Sequence, residues 1–135
     1  MARSVLIFDG ACPLCVRWAR AFQQATGDQV EYVASDEAAV RFPQVPRERT
    51  QRSIVLVGAN VLEGAQAAFA ALEAGGRGGA MRLYRRSPLF AAVAERAYRV
   101  VADHRRLFGA LDRAVLGAPE RAEVRSRLLA ALARR

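Results

Sequence analysis

The fold is decided by one stretch near the amino terminus, Val5-Leu6-Ile7-Phe8-Asp9-Gly10-Ala11-Cys12-Pro13-Leu14-Cys15. Its first four residues form a short apolar run of the kind that makes a buried β-strand. Asp9 and Gly10 end that run. From Leu14 onward, apolar residues recur at helical spacing as far as Ala25. The stretch therefore predicts a strand, a tight turn and a helix, with Cys12 at the N-cap and Pro13 at the first helical position.

The rest of the first half alternates between strand and helix signals. We predict a strand over residues 29–34, a short helix over Asp36–Phe42, and a polar loop over Arg47–Arg52. A strand over Ser53–Val57, a short strand at Val61–Leu62 and a helix over Ala65–Ala74 follow. Gly75–Gly79 is predicted to be a flexible loop.

The second half is predicted to be helical. Ser87 and Pro88 form a cap and first-turn pair that begins a helix of about 88–107, with Gly109 as a stop signal. We expect one face of that helix to carry Phe90, Val93, Ala94, Ala97, Val101 and Leu107. Pro119 is expected to begin a last helix. The order β-α-β-α-β-β-α followed by helices predicts an α/β protein with the layout of a thioredoxin-like fold and additional C-terminal helices.

Length and composition narrow the class of protein. A chain of 135 residues suits a single domain, and no apolar run is long enough to span a membrane. The amino-terminal apolar run is too short for a secretory signal, so we expect a cytoplasmic protein with reduced cysteines. With two cysteines and only His104 as a histidine, we expect no metal and no bound cofactor.

The formal charge of +8 is unevenly distributed. Residues 1–74 hold seven arginines and eight acidic residues, whereas residues 75–135 hold fourteen arginines and five acidic residues. The net charge is therefore −1 in the first half and +9 in the second. We expect this basic half to influence the choice of substrate or partner rather than to define the activity.

The spacing of Cys12 and Cys15 at the start of a helix indicates redox chemistry. Unpaired N–H groups and the helix dipole stabilise a thiolate at Cys12, and Cys15 is near enough to attack a mixed disulfide formed there. Cys12 is thus the predicted nucleophile and Cys15 the resolving cysteine. A structural zinc site or an inert pair of core cysteines are the alternatives for these two residues.

Asp9 lies three residues before Cys12 and has more than one possible role. Its charge would raise the pKa of a nearby thiol by repulsion. It could transfer a proton during disulfide cleavage, or it could cap the turn between strand and helix by accepting backbone N–H groups.

Two segments resemble the DCC family of thiol–disulfide oxidoreductases, named for an Asp-x-x-Cys-x-x-Cys motif. The first is Ile7–Cys15, and the second is Tyr98–Gly109, which is similar to the family's Tyr…Ala-x-x-Arg…Phe-Gly segment. The resemblance implies a thioredoxin-like fold with Cys12 and Cys15 as the redox pair and Asp9 beside them. We therefore expect a DCC-family domain over residues 1–109 and a helical extension, packed on the same domain, over residues 110–135.

The resemblance also bears on the substrate, expected to be a protein or small-molecule thiol or disulfide such as glutathione. Thioredoxins place a cis-proline opposite the cysteine pair, whereas this chain has Arg52-Ser53-Ile54 there. We expect Pro13, Ser53 and Arg105 to contact the substrate. Arg105 could hold an anionic substrate, or it could offset the charge of Asp9. A solvated helix face is the alternative for Arg99, Arg105 and Arg106, and a surface or packing role for His104.

The leading functional hypothesis is therefore a thiol–disulfide oxidoreductase. A non-catalytic thioredoxin-like adaptor is one alternative, with the basic helices binding a protein partner. A basic nucleic-acid-binding module is the other, and it is disfavoured because the second half has few aromatic residues for base stacking.

Overall fold

A four-stranded mixed sheet is the centre of the computed structural model, which describes residues 3–116, 129–130 and 133. The strands are β1 (Ser4–Phe8), β2 (Val30–Ala34), β3 (Val55–Val57) and β4 (Val61–Glu63), arranged in the order β2-β1-β3-β4. β2 runs parallel to β1, whereas β3 is antiparallel to both β1 and β4. This α/β arrangement agrees with the predicted thioredoxin-like fold with extra C-terminal helices.

Helices surround the sheet in the described part of the chain. They are α1 (Pro13–Thr26), α2 (Ser35–Arg41), α3 (Arg47–Arg52), α4 (Gly64–Ala74), α5 (Gly79–Arg86), α6 (Pro88–Asp103) and α7 (Arg105–Leu116). A single 3₁₀ turn, Gly27–Gln29, joins α1 to β2. No helix among the described residues is both long and apolar enough to cross a membrane.

Alternate residues of β1 are buried in two separate clusters on opposite faces of the sheet. Ile7 packs with Val33 and Val55 on the face that α2 covers, and Leu6 packs with Leu56 on the face that α4 covers. Ile7 is fully buried. Both faces of the strand are apolar because both are covered, which explains the continuous run in the sequence. β1 is thereby held inside the sheet, and its carboxyl end is followed by the turn that precedes Cys12.

The predicted loop at Arg47–Arg52 is wrong, because these residues form α3. Pro46 is the N-cap of α3, and the side chain of Thr50 in this helix is buried. The Thr50 hydroxyl donates to the carbonyl of Arg47 at 2.8 Å. A two-turn helix with one buried polar residue has no apolar periodicity, so nothing in the sequence distinguishes it from a polar loop.

The long helix predicted over about 88–107 is divided in two. Ser87 caps α6 as expected, accepting the Phe90 N–H at 3.1 Å. The helix stops at Asp103, His104 leaves the helical conformation, and α7 begins at Arg105. Gly109 lies inside α7, so its prediction as a stop is wrong.

The face predicted for the long helix is only partly buried. Val93 and Leu107, which the helical spacing places on that face, are 58% and 57% exposed. Gly75–Gly78 do form a loop, and Gly79 begins α5. The helix predicted from Pro119 lies outside the described residues, apart from residues 129 and 130, which are helical.

Candidate active site

The two cysteines lie where β1 gives way to α1. Cys12 is the N-cap of α1, with an extended backbone, and Pro13 occupies the first turn as predicted. The Sγ of Cys12 accepts the backbone N–H of Cys15 at 3.3 Å. That N–H has no helical acceptor of its own. A thiolate at Cys12 would therefore receive both a hydrogen bond and the favourable end of the helix dipole.

Cys15 is in a different environment, although it is only one turn away. The pKa of the Cys15 thiol is raised to about 12, first by burial and then by a hydrogen bond with Cys12. The positive charge of Arg105 acts in the opposite direction and lowers that pKa. Both cysteines are free thiols. Cys15 is thus protonated at neutral pH in the reduced protein.

Asp9 holds the turn that precedes the cysteines. Its Oδ1 accepts the N–H of Ala11 at 3.0 Å, and its backbone carbonyl accepts the N–H of Cys12 at 3.3 Å. This is the turn-capping geometry that the sequence allowed. Proton transfer by Asp9, the other possibility, stays a prediction.

Arg105, which is distant from the cysteines in the sequence, contacts Asp9 at the site. Its Nη1 donates to Oδ2 of Asp9 at 3.0 Å, and the two side chains are 21% and 15% exposed. Of the three arginines considered from the sequence, Arg105 is the one brought to the cysteines, whereas Arg99 and Arg106 are exposed. The expectation that an arginine offsets Asp9 agrees with this ion pair.

Pro13 and Ser53, the other expected substrate contacts, differ in accessibility. Pro13 is exposed beside Cys12. Ser53 is buried, and its hydroxyl donates to the carbonyl of Ile54 and accepts the N–H of Gly64, both at 3.1 Å. The described residues contain no cis peptide bond. Ser53 therefore connects β3 to the start of α4, and a substrate contact by either residue stays a prediction.

Tyr98 is a residue of the site that sequence reasoning did not single out. Its hydroxyl accepts the backbone N–H of Ile54 at 2.8 Å, although the two residues are 44 positions apart. It thereby ties α6 to the segment that enters β3. Tyr98 was visible as the first residue of the segment that resembles the DCC family, which is the one signal that could have identified it.

A cavity of about 330 Å³ lies beside Cys15. Its wall is formed by α1, α6 and the sheet, and its apolar residues include Leu6, Phe8, Trp18 and Val101. Trp18 follows Cys15 by three residues, so both side chains lie on the same face of α1. Asp9 and Arg105 also border the cavity.

His104 contacts the end of the preceding helix. It is exposed, and its Nδ1 is 2.9 Å from the carbonyl of Val100 in the last turn of α6. Within the described part of the chain, no three His, Cys, Asp or Glu side chains come together as a metal site requires.

A Cys-x-x-Cys pair on the first turn of a helix, directly after the central strand of a mixed sheet, defines a thioredoxin-like protein of the thiol–disulfide oxidoreductase class. Comparison with protein-family models gives the same class. Residues 6–110 match the DCC1-like thiol-disulfide oxidoreductase family, and the chain belongs to that family. No match was found among curated proteins or among solved structures.

Proposed function

We propose that the protein carries out dithiol–disulfide exchange, with Cys12 as the nucleophile and Cys15 as the resolving cysteine. The observation that carries this assignment is the 3.3 Å hydrogen bond from the Cys15 N–H to the Cys12 Sγ, at a helix N-terminus. It stabilises negative charge on Cys12. The raised pKa of Cys15, due first to burial, supports the same order of events because it keeps the second thiol protonated until it is needed.

The reaction begins when the Cys12 thiolate attacks one sulfur of a disulfide. A bond forms between Cys12 and that sulfur, and the other half of the substrate leaves as a thiolate. Cys15 then gives up its proton and attacks the Cys12 Sγ, which releases the second half. The substrate gains two electrons and two protons, one from Cys15 and one from solvent. The protein is left with a Cys12–Cys15 disulfide, and a dithiol reductant reverses these steps.

Asp9 and Arg105 act on this sequence as positioning residues. Arg105 favours the thiolate form of Cys15, which is needed for the second step, because its charge lowers the pKa of that thiol. Asp9 fixes Arg105 through their 3.0 Å contact and also holds the turn before Cys12. Pro13 is exposed beside Cys12 and belongs to the surface that a substrate would approach.

The direction of the exchange depends on the compartment. The cytoplasm keeps thiols reduced, so a protein working there would be returned to its dithiol form and would act as a disulfide reductase. We propose that the protein works in the cytoplasm and in this reducing direction.

Single serine variants test the assignment of the two cysteines. We expect Cys15→Ser to accumulate a mixed disulfide at Cys12 when mixed with an excess of a small disulfide, detectable as an added mass on the intact protein. Cys12→Ser should form far less of this adduct, and both variants should lose catalytic disulfide reduction. Full activity in both variants would overturn the proposal. Preferential adduct formation at Cys15 would reverse the two roles.

Nucleic-acid binding gains no support from the aromatic residues of the basic half. Phe90 stacks on Phe69 with ring centroids 5.8 Å apart, and Tyr84 meets the same ring edge-on at 6.0 Å. These rings pack against one another within the fold instead of presenting faces to bases.

A further inference from the structure

The polar side chains that border the cavity beside Cys15 already have partners within the fold. The Thr50 hydroxyl donates to the carbonyl of Arg47, and the Tyr98 hydroxyl accepts the N–H of Ile54, both at 2.8 Å. The hydroxyl of Ser53 is bonded to backbone groups, as described above. A polar ligand entering the cavity would lose hydrogen bonds to water and would compete with these contacts within the fold.

The charged groups at the cavity are satisfied in the same way. Asp9 and Arg105 neutralise each other at 3.0 Å, and neither side chain is more than about a fifth exposed. The remainder of the wall is apolar and includes Phe8, Trp18 and Phe22. At about 330 Å³ the cavity is at the small end of the roughly 300–1,000 Å³ range of ligand pockets, which suits a single side chain.

We propose that this cavity is a specificity pocket, and that the preferred substrates are disulfides with an aromatic or branched apolar side chain next to the reacting sulfur. This inference rests on the proposed function. It follows from two observations together: the lining is largely apolar with polar side chains that already make contacts within the fold, and Cys15 itself borders the cavity. An apolar side chain placed there would bring its neighbouring disulfide to the cysteine pair.

The pocket also disfavours glutathione disulfide as a substrate. Glutathione carries two carboxylates and an ammonium group, and it lacks a large apolar side chain beside its cysteine. Using Arg105 to bind such a carboxylate would require breaking its contact with Asp9. The chemical step is unchanged in either case, since two electrons pass from the Cys12 and Cys15 thiols to the substrate disulfide.

Matched peptide disulfides test the pocket. The probes are the disulfide-linked dimers of acetyl-Gly-Cys-Phe-amide and acetyl-Gly-Cys-Ser-amide, with glutathione disulfide as a third substrate. Because burial of a phenylalanine side chain is the main difference, we expect kcat/KM for the Phe dimer to exceed that for the Ser dimer by about ten-fold or more. The value for glutathione disulfide should be no higher than that for the Ser dimer. Equal values for all three would overturn the pocket and leave the oxidoreductase function standing.

Two alanines of α6 provide a matched pair of variants. Both are exposed, but Ala97 borders the cavity and Ala92 lies outside it. We expect Ala97→Leu to fill the pocket and bring the Phe-to-Ser ratio close to one, while Ala92→Leu keeps the wild-type ratio. A ratio that is unchanged in Ala97→Leu would contradict the proposed location.

Trp18 allows binding to be measured without chemistry. It is the single tryptophan of the chain and borders the cavity at 38% exposure, so its fluorescence reports on the pocket. In a Cys12→Ser, Cys15→Ser double variant, we expect the Phe dimer to change the emission and to bind about ten-fold more tightly than the Ser dimer. Selective binding without turnover by the wild type would support the pocket and refute the proposed function. Equal binding of the two dimers would refute the pocket.

Discussion

Asp9 and Arg105 form an ion pair at 3.0 Å, although 96 positions separate them in the sequence. The contact joins the turn before Cys12 to the first residue of α7. The two charges have opposite effects on the neighbouring thiol: Arg105 lowers the pKa of Cys15, and Asp9 raises it. The pair thus connects the start of α7 to the ionisation of Cys15.

This opposition predicts that neutral variants of the two residues shift Cys15 in opposite directions. Arg105→Gln should raise the pKa of Cys15, because it removes a charge that favours the thiolate. Asp9→Asn should lower it, because it removes a charge that opposes the thiolate. The pH dependence of iodoacetamide alkylation, measured in a Cys12→Ser background, reports on this one thiol.

Arg106→Gln is the control for that experiment. It removes the same charge from the neighbouring, exposed residue and should leave the alkylation profile unchanged. Shifts in the same direction for Asp9→Asn and Arg105→Gln would show that the variants act by loosening the turn and not through charge.

The sequence was sufficient for the elements that have local signals. The apolar run, the Cys12-Pro13 cap and the Ser87 cap each determine their own surroundings, so β1 and the starts of α1 and α6 were predicted correctly. Contacts between distant segments could only be suggested. Arg105 was one of three candidate arginines, and the bond from Ile54 to Tyr98 had no local pattern.

Tyr98→Phe is expected to destabilise the protein. The ring remains, but the Ile54 N–H loses the acceptor that it has at 2.8 Å in a partly buried position. An unpaired buried donor costs about 1–3 kcal/mol, so we expect a loss of that order in the free energy of unfolding by urea. Tyr84→Phe is a comparison that removes a hydroxyl donating to Glu95 and leaves no backbone donor unpaired. A loss no greater for Tyr98→Phe than for Tyr84→Phe would contradict this account.

Replacing three glycines by alanine distinguishes the cost of backbone strain from the cost of steric overlap. Gly27 has φ +59 with open space around it, whereas Gly64 has φ +64 and a Cβ there would lie 2.6 Å from Oε2 of Glu95. Gly79, at the start of α5, has open space and no positive φ. Measured by thermal unfolding, Gly79→Ala should be neutral or stabilising, Gly27→Ala should cost about 1 kcal/mol, and Gly64→Ala should cost more. Equal losses at Gly27 and Gly64 would show that Glu95 moves away without cost.

The reduced protein is expected to lose stability in alkaline solution because of Cys15. Burial is the largest cause that raises the pKa of this thiol from its ordinary 9.0 to about 12. Between these values the unfolded chain releases the proton and the folded protein retains it, so the free energy of unfolding falls as pH rises through that window. Urea unfolding between pH 8 and about 9.5, where tyrosines with an ordinary pKa of about 10 are still mostly protonated, should show a shallower decline for Cys15→Ala than for the wild type. Cys12→Ala should keep most of the decline, since it leaves Cys15 buried, and equal slopes in all three proteins would contradict the role of burial.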